Sequence, residues 1–374
     1  MQYQIDFLPV GKDRCGEAIA IRFGNLETGD PDQQAVVVID GGYKKDTDKV
    51  INMVTNHYGA NKIDLVVSTH PDIDHIGGLV GVTEKIPIDY LWMHQPWEHS
   101  DEMLALRQED FSVASMTKKL QKSMQSSGDL AAAADAAGVN IFEPFTGRRL
   151  VSDYGTLTVL GPTRAYYEEL LVQILAKSAT KASQQQVQRP LSLAEELQKI
   201  MQQAAQKAAS VIENHHFETL TDKGTTALTN NTSTVLLLEL IDGKKFLFCG
   251  DAGMPALEMA YDQYTLLGNS PGQLNLIQVP HHGSRKNVGP TILNKFLGEP
   301  TSQADMWRGS ACVSVTETCE GDGHPHKVAT NAFKRRGYPV IATQGSSIKF
   351  GFPRIGWDTT ATPLPLFESV EADG

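Results

Sequence analysis

The chain has no apolar run approaching the roughly 20 residues that a membrane-spanning helix needs. Its first residues, MQYQIDFLPVGKDR, lack the basic start and apolar stretch of a leader, so a cytoplasmic protein is expected. Cysteine is scarce. Cys15, Cys249, Cys312 and Cys319 are the only four in 374 residues, scattered and without a CxxC pair, which predicts reduced thiols. Positive charge is also short. A formal net charge of −11 argues against a broad basic face for non-specific nucleic-acid binding, though not against a nuclease, because bound divalent cations can reverse the potential of an acidic cleft. There is no GxSxG, no P-loop and no Ser/His/Asp set that points to covalent catalysis.

At 41% hydrophobic and 21% charged, the composition is that of an ordinary globular protein. QIDFLPV, AIAIRFG and AVVVID are short apolar or alternating runs bounded by Gly, Pro and Asp, and read as strands. Residues 46–58 space Val50, Ile51, Val54 and Tyr58 along one helical face. IDLVVST is apolar throughout, as in a strand covered on both faces, and IPIDYLWM reads as the next strand. In the last third, STVLLLELI and KKFLFCGD form a hairpin around Asp242-Gly243. LNLIQV, SACVSVT and PVIATQ-GSSIKFGF follow, with the helix HKVATNAFKRRG between the last two. The basic turn Lys334-Arg335-Arg336-Gly337 closes that helix, where cations complement the helix dipole. The tail, residues 353–374, is Pro-rich and then acidic, which suits an extended or disordered segment.

Residues 98–228 differ in character, being rich in Ala, Gln, Lys and Met with helical periodicity. Ser192 and Glu195 are placed as a capping box after Pro190, and Val139–Pro144 and Gly155–Pro162 read as strands. The expectation is one domain over 1–374 with its core in 1–97 and 229–352. Residues 98–228 then form a largely helical insertion that offers a lid or a surface for a protein partner or self-association.

The chemistry concentrates at strand ends. His70, Asp72, Asp74 and His75 put four ligand-type side chains into six residues, an arrangement that a loop can turn inward together but a regular helix or strand cannot. Two nitrogens and two carboxylates suit two divalent ions. Gly77-Gly78 then allows close backbone approach. Asp40-Gly41-Gly42, Phe248-Cys249-Gly250-Asp251 and Pro280-His281-His282-Gly283-Ser284 also end apolar strands, as a site shared at one sheet edge requires. His324 is a candidate to protonate a leaving group or bind a phosphate oxygen, with His326 weaker. Ser284, Arg285 and Lys286 are candidates to hold substrate phosphates. His94, Trp97 and His99 read as a packed loop anchor, and His215 and His216 as polar surface.

HPDIDHIGG resembles the HxHxDH motif of the metallo-β-lactamase superfamily, with Asp72 in place of the middle histidine. FLPVG, IDGG at 39–42, NNTSTVLLLE at 230–239, FCGD at 248–251, HHGS at 281–284, SVT at 314–316 and GHP at 323–325 resemble the hydrolase domain of ComEC-type DNA-uptake proteins. The likeness covers roughly residues 1–95 and 229–352. It implies an αββα sandwich of two face-to-face sheets with outer helices, an α/β fold with the metals at one edge. It also implies His70, Asp72, Asp74 and His75 as ligands, Asp251 as the bridge, His281 or His282 completing the second site, and Asp40 bracing the metal loop. Asp74 is expected to hold the nucleophile as well as a metal. The superfamily's histidine before the bridging acid is missing from Thr229-Asn230-Asn231-Thr232, and Asp72 hardens the site from Zn²⁺ towards Mn²⁺. The expected activity is two-metal phosphodiester hydrolysis of nucleic acid or a nucleotide. The alternatives are hydrolysis of a small ester, lactone or phosphorylcholine-type substrate, and a non-catalytic assembly protein working through residues 98–228.

Overall fold

Apolar runs read as strands need neighbours on both edges and cover on both faces, and two sheets supply these. The computed structural model describes residues 1–101, 124–185, 210–303, 306–317, 323–352 and 361–372. The first sheet contains β1 (Gln2–Phe7), β2 (Ile19–Gly24), β3 (Gln34–Ile39), β4 (Ile63–Val67), β5 (Ile88–Trp92), β6 (Asn140–Phe142) and β15 (Ile348–Phe352), in the order β15-β1-β2-β3-β4-β5-β6. The second contains β7 (Arg149–Ser152), β8 (Gly155–Gly161), β10 (Val235–Leu240), β11 (Lys245–Phe248), β12 (Leu276–Gln278), β13 (Ser310–Val313) and β14 (Val340–Ala342), in the order β14-β13-β12-β11-β10-β8-β7. In each sheet one half is antiparallel and the other parallel: β3 to β6 run parallel in the first, and β11 to β14 in the second.

The two-residue period of a strand sorts side chains between layers. Leu236 and Leu238 of β10 face the other sheet and pack with Ile5, Phe7, Ile21, Phe246 and Phe248. Leu237 faces outward to Leu257, Ile292 and Phe333 of α5 (Met254–Leu266), α6 (Pro290–Leu297) and α7 (Lys327–Arg335). On the far side, Val36, Val38 and Val66 meet Val50 of α1 (Thr47–Asn52), Leu79 and Val82 of α2 (Ile73–Lys85) and Leu130 of α3 (Gln125–Ala136). The result is the four-layer αββα arrangement of the metallo-β-lactamase fold. Each fully buried aliphatic or aromatic side chain adds about 1.5–3 kcal/mol.

The two strands expected within residues 98–228 join the main sheets: β6 extends the parallel edge beyond β5, and β8 pairs with β10. The helix α4 (Arg164–Gln185) buries Tyr167, Leu171 and Leu175 in a smaller cluster with Met124. The helical readings between 102 and 123 and between 186 and 209, with the Ser192/Glu195 box, lie outside the described residues. No helix among the described residues is long and apolar enough to cross a membrane.

One local expectation is corrected. Cys249 and Cys312 are free and buried, but Cys15 is disulfide-bonded. The missing CxxC excludes only a short-range pairing, whereas the fold can join thiols far apart in sequence. The basic turn closes α7 as expected, with Arg336 donating to the Ala332 carbonyl at 2.8 Å. Arg335 and Arg336 are buried, and their guanidiniums meet Glu213 at 2.9 Å and Glu218 at 2.9 Å. The tail ends in β16 (Ser369–Glu371), which pairs with β9 (Ser210–Ile212). Glu371 accepts the backbone N–H groups of Lys327 and Val328 at the start of α7, satisfying two helix-end donors.

Candidate metal centre

Asp40 follows β3, His70 to His75 follow β4, Asp251 follows β11, and His281 and His282 follow β12. The C-terminal ends of the parallel strands thus bring all of them to one edge. Asp72 is the N-cap residue of α2 with extended backbone, yet its side chain makes no capping bond, so its carboxylate stays available. Gly78 lets α2 lie against the Asp40 loop, since a Cβ there would come within 2.0 Å of the Gly41 carbonyl oxygen. Asp40, His281 and His282 occupy left-handed backbone with φ of 57°, 49° and 54°. Each costs of order 1–3 kcal/mol, and such strain clusters at sites where it aims side chains.

Asp251 lies at the centre. Its Oδ1 is 3.2 Å from His75 Nε2, while its Oδ2 is 3.6 Å from His70 Nε2 and 3.5 Å from His281 Nε2. His70 Nε2 is also 3.8 Å from Asp72 Oδ2, and His282 Nε2 is 3.3 Å from Asp74 Oδ2. Two groups result: His70, Asp72 and His281 around one carboxylate oxygen, and Asp74, His75 and His282 towards the other. The second trio has ligand atoms within 4.8 Å of one another. The adjacent imidazoles therefore part company, His282 joining the Asp74 group and His281 facing the opposite oxygen.

Every one of the four imidazoles is held by its Nδ1. His75 Nδ1 meets Asp40 Oδ2 at 2.7 Å, and His70 Nδ1 meets Thr69 Oγ1 at 3.0 Å. His281 Nδ1 meets Asn287 Oδ1 at 2.9 Å, and His282 Nδ1 meets the Ser314 carbonyl at 2.9 Å. These contacts tie down each Nδ1 and turn each Nε2 inward. His70 Nε2, His75 Nε2 and Asp251 Oδ1 are buried without a hydrogen-bond partner. Buried polar atoms are rarely left so, and an electron-pair acceptor such as a divalent cation fits them. Asp40 is near enough to His70 and His75 to be counted with them. However, its oxygens already accept from Thr69 N at 2.8 Å, Thr69 Oγ1 at 2.6 Å and His75 Nδ1, so it braces the loop.

Electrostatics follow from burial and crowding. Burial opposes charge on His75, but Asp251 and Asp40 outweigh it and raise the pKa well above the usual range. Burial likewise opposes ionisation of Asp251, and the imidazoles of His75, His281 and His70 overcome it and hold its pKa well down. Asp74 falls to about 2 because, against burial, it accepts from His282 and lies near His75.

His324 stands at the rim, its ring 5.6 Å from that of His281, and burial with the neighbouring His326, His282 and His281 pushes its pKa down to about 2. It is therefore a neutral hydrogen-bonding group. Ser284 is buried, and the Arg285 guanidinium donates to the Ala372 carbonyl. The Lys286 backbone N–H approaches Ser284 Oγ at 3.3 Å. Asn230 occupies the segment without histidine; it is buried, with Nδ2 donating to Thr226 Oγ1 at 2.9 Å and lying 3.3 Å from His281 Nδ1. His94 stacks on Tyr167 at 4.2 Å and lines a small pocket with Thr69 and His70, and His99 sits between Glu143 and Glu168 at 2.9 Å each. His215 Nε2 donates to the Thr301 carbonyl at 2.8 Å. Residue-type reading passed over Thr69, Asn287, Ser314 and Glu17. The available signal for Glu17 was a lone carboxylate at the head of the apolar run AIAI.

Residues 31–123 match the family model described as metallo-beta-lactamase superfamily. A comparison with curated protein sequences gave no match. Among solved structures, unliganded yeast PDE1 is 10% identical with a TM-score of 0.40, covering 92% of this chain and 99% of that one. A long form of yeast RNase Z is 10% identical with a TM-score of 0.33, covering 74% and 32%. A metallo-beta-lactamase from Cronobacter sakazakii, a HARLDQ-motif mutant, is 11% identical with a TM-score of 0.31, covering 72% and 74%. With TM-scores below 0.5, these likenesses decide nothing about the reaction.

Proposed function

From the superfamily match over residues 31–123 and the two-sheet fold, we propose that this chain is a metal-dependent hydrolase that cleaves phosphodiesters in nucleic acid or nucleotides. The carrying observation is Asp251, which turns one oxygen to each of two His/Asp groups whose buried atoms lack partners. His70, Asp72, His281 and Asp251 Oδ2 would hold one divalent cation, and Asp74, His75, His282 and Asp251 Oδ1 the other, Zn²⁺ or Mn²⁺. Bound there, two cations would supply a hydroxide nucleophile near neutral pH and offset the charge of a phosphate. Asp74, ionised at neutral pH, accepts the hydrogen of the attacking water and so orients it. His324 donates a neutral N–H to a phosphate oxygen at the rim. Before the water ionises, two dications against the carboxylates of Asp72, Asp74 and Asp251 would leave one surplus positive charge, which favours docking of a phosphodiester monoanion over a neutral ester.

The test is hydrolysis of bis-p-nitrophenyl phosphate, single- and double-stranded DNA and RNA with Mn²⁺ or Zn²⁺, using Asp251→Ala as control. Cleavage by the wild type with a loss of about 100-fold or more in the variant is expected. Equal rates would sink the proposal. Cleavage confined to small esters or lactones would keep the metal centre and replace the substrate class.

A further inference from the structure

Behind the metal centre lies Glu17, fully buried between the two sheets, with no Lys or Arg paired to it among the described residues. Its carboxylate takes two hydrogen bonds: Oε2 from Gln278 Nε2 at 2.8 Å and Oε1 from Ser314 Oγ at 2.5 Å. Each donor leads on to the centre. Gln278 Oε1 accepts the backbone N–H groups of Cys249 at 2.7 Å and Gly250 at 3.0 Å, immediately before Asp251. The Ser314 carbonyl accepts His282 Nδ1. The Glu17 backbone completes the junction, its N–H donating to the Asp74 carbonyl at 3.0 Å and its carbonyl accepting Gly42 N–H at 2.7 Å, beside the Asp40 loop.

We propose that Glu17 is the positioning residue that holds the Asp251 loop, His282 and the Asp74 turn in register, so that the cation position formed by Asp74, His75 and His282 exists. The inference rests on the two-metal reading. Its logic is one of donors and acceptors. Gln278 has its oxygen committed to two backbone N–H groups, so only its NH₂ can face Glu17, and turning the amide would set donor against donor. The residue at position 17 must therefore accept from Gln278 and remain bonded to Ser314. Glutamine can do both, since the Ser314 hydroxyl can rotate to accept. Methionine, of similar length, can do neither.

The test compares wild type, Glu17→Gln and Glu17→Met for Co²⁺ uptake, counted after dialysis and followed by the visible spectrum, alongside the metal dependence of bis-p-nitrophenyl phosphate hydrolysis. Wild type and Glu17→Gln should bind two equivalents with matching spectra. Glu17→Met should retain one tightly bound equivalent and bind the other about 10–100-fold more weakly, with an altered spectrum. The metal concentration for half-maximal activity should rise more than the rate at saturating metal falls. Glu17→Met binding two Co²⁺ with wild-type affinity and spectrum, even at lower thermal stability, would overturn the proposal and leave Glu17 a fold brace. If Glu17→Met fails to fold, Ser314→Ala and Gln278→Leu each cut one arm and should each weaken one Co²⁺; wild-type binding by both overturns it equally. A wild type that takes up no metal would instead remove the two-metal reading itself.

Discussion

Asp40 shows how much of the centre depends on single atoms away from the ligand shell. In strained backbone it accepts from His75 Nδ1, Thr69 N and Thr69 Oγ1, and Thr69 in turn holds His70. Asp40→Ala should leave three buried donors unpaired and destabilise the fold by about 3 kcal/mol, read from denaturant midpoints. It should also weaken metal uptake by about 10–100-fold; unchanged uptake in the folded variant would argue that His75 is oriented otherwise. At this scale the sequence was legible where residue type alone carries the chemistry, as in His70-x-Asp72-x-Asp74-His75. It was illegible where two identical side chains differ only in direction. His281 and His282 are separated by left-handed backbone geometry that no residue type announces. Arg335 and Arg336 have the local pattern of a basic helix end, and their burial was not legible because their partners Glu213 and Glu218 lie far away in sequence.

Among the elements, α2 carries half the centre and depends on its closeness to the Asp40 loop. Gly78→Ala would drive a Cβ into the Gly41 carbonyl, and backbone cannot yield as a flexible side chain does. Reduced thermal stability together with loss of metal stoichiometry is the expected result, and a stable variant with full stoichiometry would contradict it. The anchor of α4 is a different device. Burial opposes charge on His99, but hydrogen bonds to Glu143 and Glu168 outweigh it and raise the pKa above the usual 6.5. A raised pKa in the folded state means stabilisation that is complete below the unfolded value and lost as pH climbs through the folded one. Glu143, held low by His99 against burial, contributes in the opposite sense, its share being lost as pH falls through its own depressed value. Amide exchange in residues 164–177 should therefore quicken as pH rises above about 6.5, after correction for intrinsic rates. His99→Gln should flatten that dependence. The strands and their order of appearance could be read from apolar runs and turn residues. The joining of β6 and β8 to the main sheets could not, because pairing across an αββα sandwich is set by non-local packing.

For the whole molecule, the two-metal reading makes the orphaned atoms of His70, His75 and Asp251 a reason for metal to favour the folded state. Mn²⁺ or Zn²⁺ at about 100 times its dissociation constant should stabilise the protein by about 2.7 kcal/mol. The rise should appear in thermal unfolding, reverse with a chelator, and vanish in Asp251→Ala; a wild type indifferent to both additions would contradict it. On the two-metal reading, the placement of the ligands also has a consequence for biosynthesis. His70 to His75 leave the ribosome among β1 to β6 of the first sheet, whereas Asp251, His281 and His282 follow only with the second. Until they emerge, the nascent chain carries the imidazoles and carboxylates of residues 70–75 with no closed cage around them. Capture of both cations must await residue 282, and a chain truncated before it can offer only an open, weakly selective fragment of the centre.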